Sequence, residues 1–508
     1  MAGIKSLAKE TAIYGLSSIV GRFLNWCLVP LYVYIFPNPG EYGIVSYLYS
    51  FTAVALVILN YGMETGFFRY ANKETDPEKV YTTSLSSVGF TSFLFILFLS
   101  LLVKPVSSAM LLPGHSLFVW LLGVTVAIDA FTNIPFAYLR YRKKAFRFAA
   151  IKLANVGINI ALNLFFLIGC PAIARVWPEL IAWFYDALGG ERFGIGWIFV
   201  ANIISTLCVL MLLLPQLIRR WRFDFSLLRR MLSYSWPLLI LGVAGVLSQN
   251  MGQMMIPYLF EGHEAEAQAM VGIYGANIKI AIVMVMFTQA FRYAYEPFIF
   301  AQARDDGPGR KKAYADAMKF FVVFGLMIFL AVMFFLPVLK HFVSPNYWPG
   351  LDVVPVMMAA DLFFGVFFNL SLWYKLTDRT RWGMYFSLFC FLLMFALNVW
   401  LVPMIGIPRG YMGSAYAALI SYFTVMTVSY FVGRHYYPID YPLRRMGAYA
   451  LLALVMWGIA EWFLTFPESD VLRYSTRALL LIIYGCVVAN FEEIPVISPL
   501  LRRLIRRR

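Results

Sequence analysis

The chain has 508 residues, of which 61% are hydrophobic and only 14% are charged, and its formal net charge is +15. A soluble domain carries about 25% charged residues, so this composition excludes an ordinary soluble protein and indicates a membrane protein. The basic excess does not indicate nucleic-acid binding, because Lys and Arg concentrate in short loops between apolar segments. There they orient membrane helices and meet anionic lipid headgroups.

Apolar segments recur along the whole chain, and each is long enough to cross roughly 30 Å of hydrocarbon as an α-helix. Most of the 42 Lys and Arg residues lie in alternate loops, which places both termini in the cytoplasm by the positive-inside rule. The sequence therefore predicts an all-α polytopic membrane protein with fourteen transmembrane helices. The predicted segments are 10–36, 41–70, 84–103, 116–139, 149–169, 195–217, 233–259, 271–300, 317–338, 351–373, 383–402, 412–432, 446–465 and 473–490.

Two connections contain candidate interfacial helices. The outer connection, at about 170–194, is rich in Trp, Tyr and Phe, which favours a helix anchored in the membrane interface; a gate or lid is the alternative. The inner connection, 218–232, carries five arginines and joins the two halves of the chain.

The two halves repeat each other weakly but in a consistent register. The matched residues are Pro30 and Pro257, Gly43 and Gly272, Asp129 and Asp361, and Asn163 and Asn398, at offsets that rise from 227 to 235. Six predicted spans per repeat imply a pseudo-two-fold axis along the membrane normal, and transporters of this kind bind substrate between their lobes. We predict a first lobe at 1–217, a cytoplasmic linker at 218–232, a second lobe at 233–432, and two further helices with a basic cytoplasmic tail at 433–508.

Polar side chains inside the predicted spans indicate a substrate cavity, because a charge in hydrocarbon is costly unless it faces a cavity or a partner. The basic residues that lie well inside the spans are Arg22, Lys279 and Arg292. If Glu64 pairs with Arg69 and Glu296 pairs with Arg292, the cavity keeps a positive charge, which favours an anionic substrate. The candidate cavity residues are Arg22, Asn25, Asn60, Glu64, Arg69, Gln249, Asn250, Lys279, Arg292 and Glu296.

A second set of polar residues lies on other spans. Asp129 and Asp361 occupy equivalent positions in the two repeats, where each either couples transport to a proton or ion or simply pairs with a basic residue or caps a helix. Asn155, Asn159 and Asn163 recur every four residues, as hydrogen-bonding groups between helices would. Gly242 and Gly245, by contrast, suggest close helix approach or bending.

No motif for catalysis is present in the sequence. The four histidines form no zinc-binding pair, the five cysteines are scattered, and there is neither a nucleophile elbow nor a phosphate-binding glycine loop. We therefore predict a protein that is not an enzyme and that has no metal site and no cofactor.

Several short motifs resemble the bacterial polysaccharide flippases of the Wzx type. They are 11–22, Pro30-Leu-Tyr-Val-Tyr-Ile-Phe36, Glu41-Tyr-Gly43, Asn60-Tyr-Gly-Met-Glu-Thr-Gly-Phe-Phe-Arg69, Leu139-Arg140 with Phe146-Arg-Phe148, and 374–380. This family belongs to the multidrug/oligosaccharidyl-lipid/polysaccharide (MOP) exporter superfamily, which also contains the MATE drug antiporters and the lipid II flippase MurJ. Individual motifs are loose, but their order covers the whole chain.

The resemblance implies a two-lobed flippase that moves an undecaprenyl-pyrophosphate-linked oligosaccharide across the inner membrane by alternating access around a cationic cavity. It also implies partners in the polysaccharide pathway, a polymerase and glycosyltransferases, besides anionic membrane lipids. The alternatives are a MurJ-like lipid II flippase and a MATE-like ion-coupled drug antiporter; Arg22, in place of the first-span acid of several MATE subgroups, disfavours the antiporter. We expect the membrane potential to drive the cycle, because an inside-negative potential assists the exit of an anion.

Overall fold

The computed structural model describes residues 15, 19–177, 179, 183, 185, 187, 189–218, 221–302, 310–377, 379, 381–462 and 470–492. This part of the chain is helical and contains no β-strand. The principal helices are α1 (Leu28–Ile35), α2 (Pro39–Asn60), α3 (Met63–Ala71), α4 (Pro77–Ala109), α5 (Ser116–Tyr141), α6 (Ala145–Leu164), α7 (Cys170–Val176), α8 (Gly196–Leu212), α9 (Leu214–Leu217), α10 (Phe225–Leu259), α11 (Glu264–Gln302), α12 (Arg310–Phe334), α13 (Leu336–Leu339), α14 (Val353–Leu370), α15 (Leu372–Leu376), α16 (Arg381–Ile405), α17 (Tyr411–Tyr436), α18 (Leu443–Trp462) and α19 (Asp470–Phe491).

Within the described residues, twelve helices are long and apolar enough to cross a membrane. Two shorter apolar helices, Ile19–Ile35 and Gly196–Leu212, lie at the first and sixth predicted spans. The all-α, multi-pass prediction is therefore confirmed, because an apolar segment in lipid must satisfy its backbone groups internally and does so as a helix. The total of fourteen spans and the orientation of the termini stay predictions.

Several helix starts are determined by local sequence. The side chain of Asn38 accepts a hydrogen bond from Gly40 N at 3.0 Å, and Pro39 follows it at the first position of α2. Asp76 caps α4 in the same way, with Pro77 next in the chain. A side-chain acceptor followed by proline is a strong start signal, since proline lacks only an N–H that the first turn leaves unpaired.

The structure divides into two compact units. One comprises Met1–Gly275 and Ser387–Ser414, and the other comprises Ala276–Phe386 and Ala415–Arg508. These boundaries differ from those of the repeat-based lobes, which stay a prediction.

In the first unit, α3, α4 and α5 surround a buried core that includes Phe67, Tyr81 and Ile134. The inner connection 218–232 is attached to this unit by three ion pairs, as far as its described residues show. The pairs are Lys79–Asp224 at 2.6 Å, Arg222–Asp76 at 3.2 Å and Arg230–Glu74 at 3.0 Å. Each of these partly exposed pairs is weak by itself, but together they fix the start of α10, whose N-cap is Asp224.

The outer connection 170–194 is described only in part. The predicted interfacial helix at 177–186 falls mostly outside the described residues, although Trp177 and Trp183 are exposed. Trp197, at the start of α8, is buried instead and stacks on Phe166 and Tyr185.

In the second unit, α12 packs against α18 and α19, and polar groups join these helices at both ends. At one end, the buried ammonium of Lys319 pairs with the carboxylate of Glu492, which also accepts a 2.6 Å hydrogen bond from Tyr449. At the other end, the buried Arg477 donates to the carbonyl of Phe334 at 2.9 Å. The carboxyl-terminal helices are thus attached to α12 by buried polar groups as well as by apolar packing.

Candidate functional site

A polar cavity of about 270 Å³ lies inside the first unit. Two of the predicted residues, Asn25 and Asp129, line it together. Its polar side chains are otherwise amides and hydroxyls. The lining residues are Asn25, Tyr49, Thr52, Ala53, Leu56, Leu122, Thr125, Val126, Asp129, Asn155, Val156, Asn159, Asn202, Ser205 and Thr206. A cavity with this lining can bind a polar ligand or ordered water inside a membrane protein.

Asp129 carries the only acidic side chain of that lining. Its carboxylate accepts a hydrogen bond from Thr206 at 3.2 Å, and Lys152 lies on the next helix in the chain, α6. Lys152, in turn, lies with its nitrogen 4.0 Å from the ring centroid of Phe136. Both roles considered for Asp129, coupling to a proton or ion and pairing with a basic residue or helix end, therefore stay predictions.

Lys152 is a partly buried basic residue that the sequence reasoning missed. It lies near the edge of the fifth predicted span and was not counted among the membrane cations. The signal was available, because Asn155 and Asn159 follow Lys152 by three and seven residues. All three therefore share one helix face. Tyr49 and Asn202 were also missed; their hydrogen bond joins α2 to α8 across the cavity.

The asparagines of α6 behave partly as predicted. Asn163 accepts a buried hydrogen bond of 3.0 Å from the hydroxyl of Tyr32 on α1, which confirms a bond between helices. Its amide nitrogen bonds back along its own helix to Asn159. Asn155 and Asn159 face the cavity, so they are available to a ligand as well as to neighbouring helices.

The predicted pairing of Glu64 is wrong. Its carboxylate pairs with Arg140 at the end of α5, whereas the guanidinium of Arg69 stacks over the ring of Tyr234 at 4.0 Å. Glu64 and Arg69 both lie on α3 and are five residues apart, so their side chains leave different faces of that helix.

The remaining predicted cavity residues are divided between the two units. Arg22, Asn60, Gln249 and Asn250 belong to the first; the amides of Asn60 and Asn250 donate to carbonyls of their own helices.

Lys279 and Arg292 belong to the second unit. Arg292 is exposed, with its guanidinium 4.6 Å from the ring centroid of Phe368. The side chain of Glu296 lies outside the described residues, so its pairing with Arg292 stays a prediction. That all the predicted residues line a single cavity also stays a prediction.

The second unit contains Asp361 and a large apolar groove. Asp361, on α14, makes no hydrogen bond or ion pair with the described residues.

The groove, of about 520 Å³, runs between α12, α14, α17 and α18. Its lining is apolar apart from Thr427, Tyr430 and Tyr441, and comprises Met318, Val322, Leu326, Phe329, Ala359, Leu362, Phe363, Val366, Leu370, Met426, Thr427, Tyr430, Phe431, Tyr441, Leu443, Met446, Gly447, Ala450, Ala453 and Leu454. No sequence signal could locate it, since apolar residues line most surfaces of a membrane helix.

The small residues of the spans differ in what they do. A side chain at Gly242 would lie 3.0 Å from Val57 on α2, so close helix approach is confirmed there. A side chain at Gly245 would meet nothing within 4 Å, so this glycine does not serve close packing.

Comparison with known proteins identifies the fold. An inward-facing multidrug resistance MATE family transporter of the MOP superfamily is 14% identical, with a TM-score of 0.62 over 86% of this chain and 95% of that chain. The lipid II flippase MurJ, in an inward closed conformation, is 13% identical, with a TM-score of 0.67 over 94% and 98%. A MOP superfamily transporter from Pyrococcus furiosus, described as having a binding pocket of reverse polarity, is 14% identical, with a TM-score of 0.55 over 84% and 95%.

No protein-family model and no curated protein sequence matches the chain. The likeness therefore rests on structure, and it shows that the chain has the fold of the MOP superfamily transporters.

Proposed function

We propose that the protein is a flippase for an undecaprenyl-pyrophosphate-linked oligosaccharide, which it moves from the cytoplasmic to the outer leaflet of the inner membrane for surface polysaccharide synthesis. The apolar groove of the second unit is the observation that carries this proposal. A lipid-linked substrate must keep its polyprenyl chain in an apolar environment while its head group crosses. A groove of about 520 Å³ lined by Leu, Val, Phe, Met and Ala offers that environment.

The head group of such a substrate is anionic at its pyrophosphate. The predicted cations Arg22, Lys279 and Arg292 supply the opposite charge, and arginine binds phosphate through paired hydrogen bonds. The polar cavity of the first unit offers amides and hydroxyls to uncharged sugar hydroxyls. A polymerase and glycosyltransferases that make and use the same substrate are the expected partners.

The driving force in this proposal is the membrane potential. Moving one elementary charge through 100 mV is worth about 2.3 kcal/mol, and an inside-negative potential favours the outward movement of the anion. A proton- or sodium-coupled cycle would instead require Asp129, Asp361 or another membrane acid to change its state.

A MurJ-like lipid II flippase is the second candidate. The structure of the lipid II flippase MurJ covers 94% of this chain, and lipid II also has a polyprenyl pyrophosphate. A MATE-like drug antiporter remains the third; a groove for a lipid chain is not required for its substrates.

Reconstitution of the purified full chain in liposomes tests the proposal. The liposomes carry either an undecaprenyl-pyrophosphate oligosaccharide or lipid II, and an impermeant lectin or glycosidase reports the substrate that reaches the opposite leaflet. We expect faster transfer of the oligosaccharide than of lipid II, and a rate that changes with an imposed potential. Transfer of lipid II alone would support the second candidate, and ion-driven efflux of a cationic dye without lipid transfer would support the third.

A matched pair of variants tests the groove itself. Gly447 and Gly458 both lie on α18, and a side chain at either would meet nothing within 4 Å, but only Gly447 lines the groove. Gly447→Phe should fill the groove and slow transfer at least tenfold, whereas Gly458→Phe should leave the rate unchanged. Equal rates for both variants would argue against a lipid chain in the groove.

A further inference from the structure

Two cationic side chains of the second unit contact the same aromatic ring, that of Phe368 near the end of α14. The ammonium of Lys375, on α15, and the guanidinium of Arg292, on α11, each lie 4.6 Å from the ring centroid. The two charges are therefore separated by no more than twice that distance. Lys375 follows the predicted tenth span, 351–373, and is not among the predicted cavity residues.

The direction of the Lys375 side chain is unusual for the end of a membrane helix. A lysine at such a position normally extends its ammonium toward water and the lipid headgroups. The predicted topology places 376–380 in the cytoplasm, yet the Lys375 ammonium contacts Phe368, seven residues nearer the middle of the span. The lysine is only partly exposed. Its charge is therefore directed toward the interior of the membrane rather than out of it.

One neutral ring does not compensate two cations. An aromatic face attracts a cation through its quadrupole, but two like charges near one ring repel each other, most strongly where little water is present. Glu296, the predicted partner of Arg292, can neutralise one of the two charges but not both. A phosphate group attracts both cations, because its oxygens accept charged hydrogen bonds from a guanidinium and from an ammonium alike.

The two cations lie close to the apolar groove of the second unit. Phe368 and Leu370 are two residues apart in the last turn of α14, which is about 3 Å along the helix axis, and Leu370 lines the groove. The end of α14 thus has a cationic surface and an apolar surface at nearly the same depth in the membrane. A lipid with a long apolar chain and a phosphate head group matches both surfaces.

We propose that Arg292 and Lys375 form a clamp that binds the diphosphate of the transported lipid at the predicted cytoplasmic end of α14, with Phe368 holding both cations in place. This inference rests on the proposed function, and it adds the residue and the place at which the head group is loaded from the inner leaflet. The chain of the lipid enters the groove while the clamp holds its head group.

Binding of geranyl diphosphate, a water-soluble analogue with a short chain, tests the clamp. The purified full chain is placed in nanodiscs of zwitterionic lipid, so that anionic headgroups do not compete, and Kd is measured by calorimetry. Lys375→Met and Arg292→Met should each raise Kd about tenfold or more, as the loss of a charged hydrogen bond does. Lys375→Arg should keep most of the affinity. The double variant should lose less than the product of the two single losses, because both cations bind one anion.

Lys340→Met is the matched control. Lys340 belongs to the same unit and is also partly exposed, and its ammonium lies 4.3 Å from the ring centroid of Trp348 at the predicted outer end. Its substitution should leave Kd unchanged. Thermal unfolding without the probe identifies a purely structural role, since a variant that loses only stability keeps its Kd. Wild-type affinity in Lys375→Met, or an equal loss in Lys340→Met, would overturn the proposal.

The uncharged alcohol geraniol and the transport assay separate this inference from the proposed function. The wild type should bind geraniol at least about tenfold more weakly than geranyl diphosphate, because the alcohol lacks the charged hydrogen bonds; equal affinities would contradict the clamp. If the wild type transfers the oligosaccharide lipid while Lys375→Met binds geranyl diphosphate normally, only the clamp is wrong. If the wild type binds the probe through the clamp but transfers no polyprenyl diphosphate lipid, the proposed function is wrong.

Discussion

Gly43 and Gly272, which occupy equivalent positions in the two sequence repeats, meet at the crossing of α2 and α11. A side chain at Gly43 would overlap the backbone carbonyl of Gln268, and one at Gly272 would overlap the carbonyl of Pro39 and lie 2.9 Å from Gly43 N. Both glycines precede Gly275 and belong to the first unit. The two helices therefore touch through their backbones, as small residues permit in membrane proteins.

The first prediction concerns this crossing. Gly43→Ala should lower the free energy of unfolding by about 1–3 kcal/mol, the usual cost of overpacking, because a rigid backbone cannot make room for the methyl group. Gly245→Ala is the matched control: it places the same methyl in open space on α10, and should be neutral or stabilising by up to about 1 kcal/mol. Denaturation of both variants in detergent measures the difference, and equal effects would show that the crossing tolerates side chains.

The second prediction concerns topology. Single cysteines placed at 104–115, 262–268 or 341–349 in a cysteine-free background should react with an impermeant thiol reagent added to intact cells with a permeable outer membrane. Cysteines at 142–146 or 376–380 should react only after the inner membrane is opened. Labelling of both sets from outside would contradict the fourteen-span arrangement with internal termini.

The third prediction concerns the predicted cations. Arg22→Ala or Lys279→Ala should abolish lipid transfer while the protein still inserts in the membrane, because each removes a charge expected to bind the pyrophosphate. Arg22→Lys should keep part of the activity, since it retains the charge but loses the paired hydrogen-bond geometry. Arg229→Ala, at an exposed position on α10, serves as the control. Normal transfer by both cavity variants would remove the basis for an anionic binding site.

The fourth prediction concerns Glu492, which follows α19. Burial acts to raise the pKa of this carboxyl, but hydrogen bonds from Lys319 and Tyr449 and the charges of Lys319 and Arg445 hold it below its ordinary value of 4.5. The side chains of Glu492 and Lys319 are only 3% and 8% exposed. Glu492→Gln should therefore cost about 3 kcal/mol, as removing one partner of a buried pair does.

The pH dependence of stability checks the same interaction. A carboxyl whose pKa is lowered by folding stabilises the protein above its unfolded pKa, and this contribution is lost as the pH falls through the folded value. The wild type should lose its advantage over Glu492→Gln below about pH 4.5. Glu461→Gln, whose exposed carboxylate lies 3.9 Å from the buried guanidinium of Arg477, should change stability by less than about 1 kcal/mol at any pH.

The sequence by itself determined that the chain is helical and crosses a membrane many times. An apolar run of about 20 residues in lipid satisfies its backbone hydrogen bonds within the segment by forming a helix, whatever its neighbours are. The caps at Asn38 and Asp76 were equally local, because a side chain bonds to backbone groups two or three residues away. The repeat likewise indicated that Gly43 and Gly272 are equivalent, although not that they touch.

Only the tertiary structure decided which polar groups meet. The sequence offered Arg69 as a partner for Glu64, but these residues lie on different faces of α3, and packing against α5 brings Arg140 to Glu64 instead. Asp129 and Thr206 are 77 residues apart on different helices, and no local rule predicts the hydrogen bond between them. The apolar groove is a gap between four helices whose lipid-facing and buried residues look alike in sequence. Which side chains become partners depends on how the helices cross. The crossing is set by packing over the whole unit rather than by any one segment.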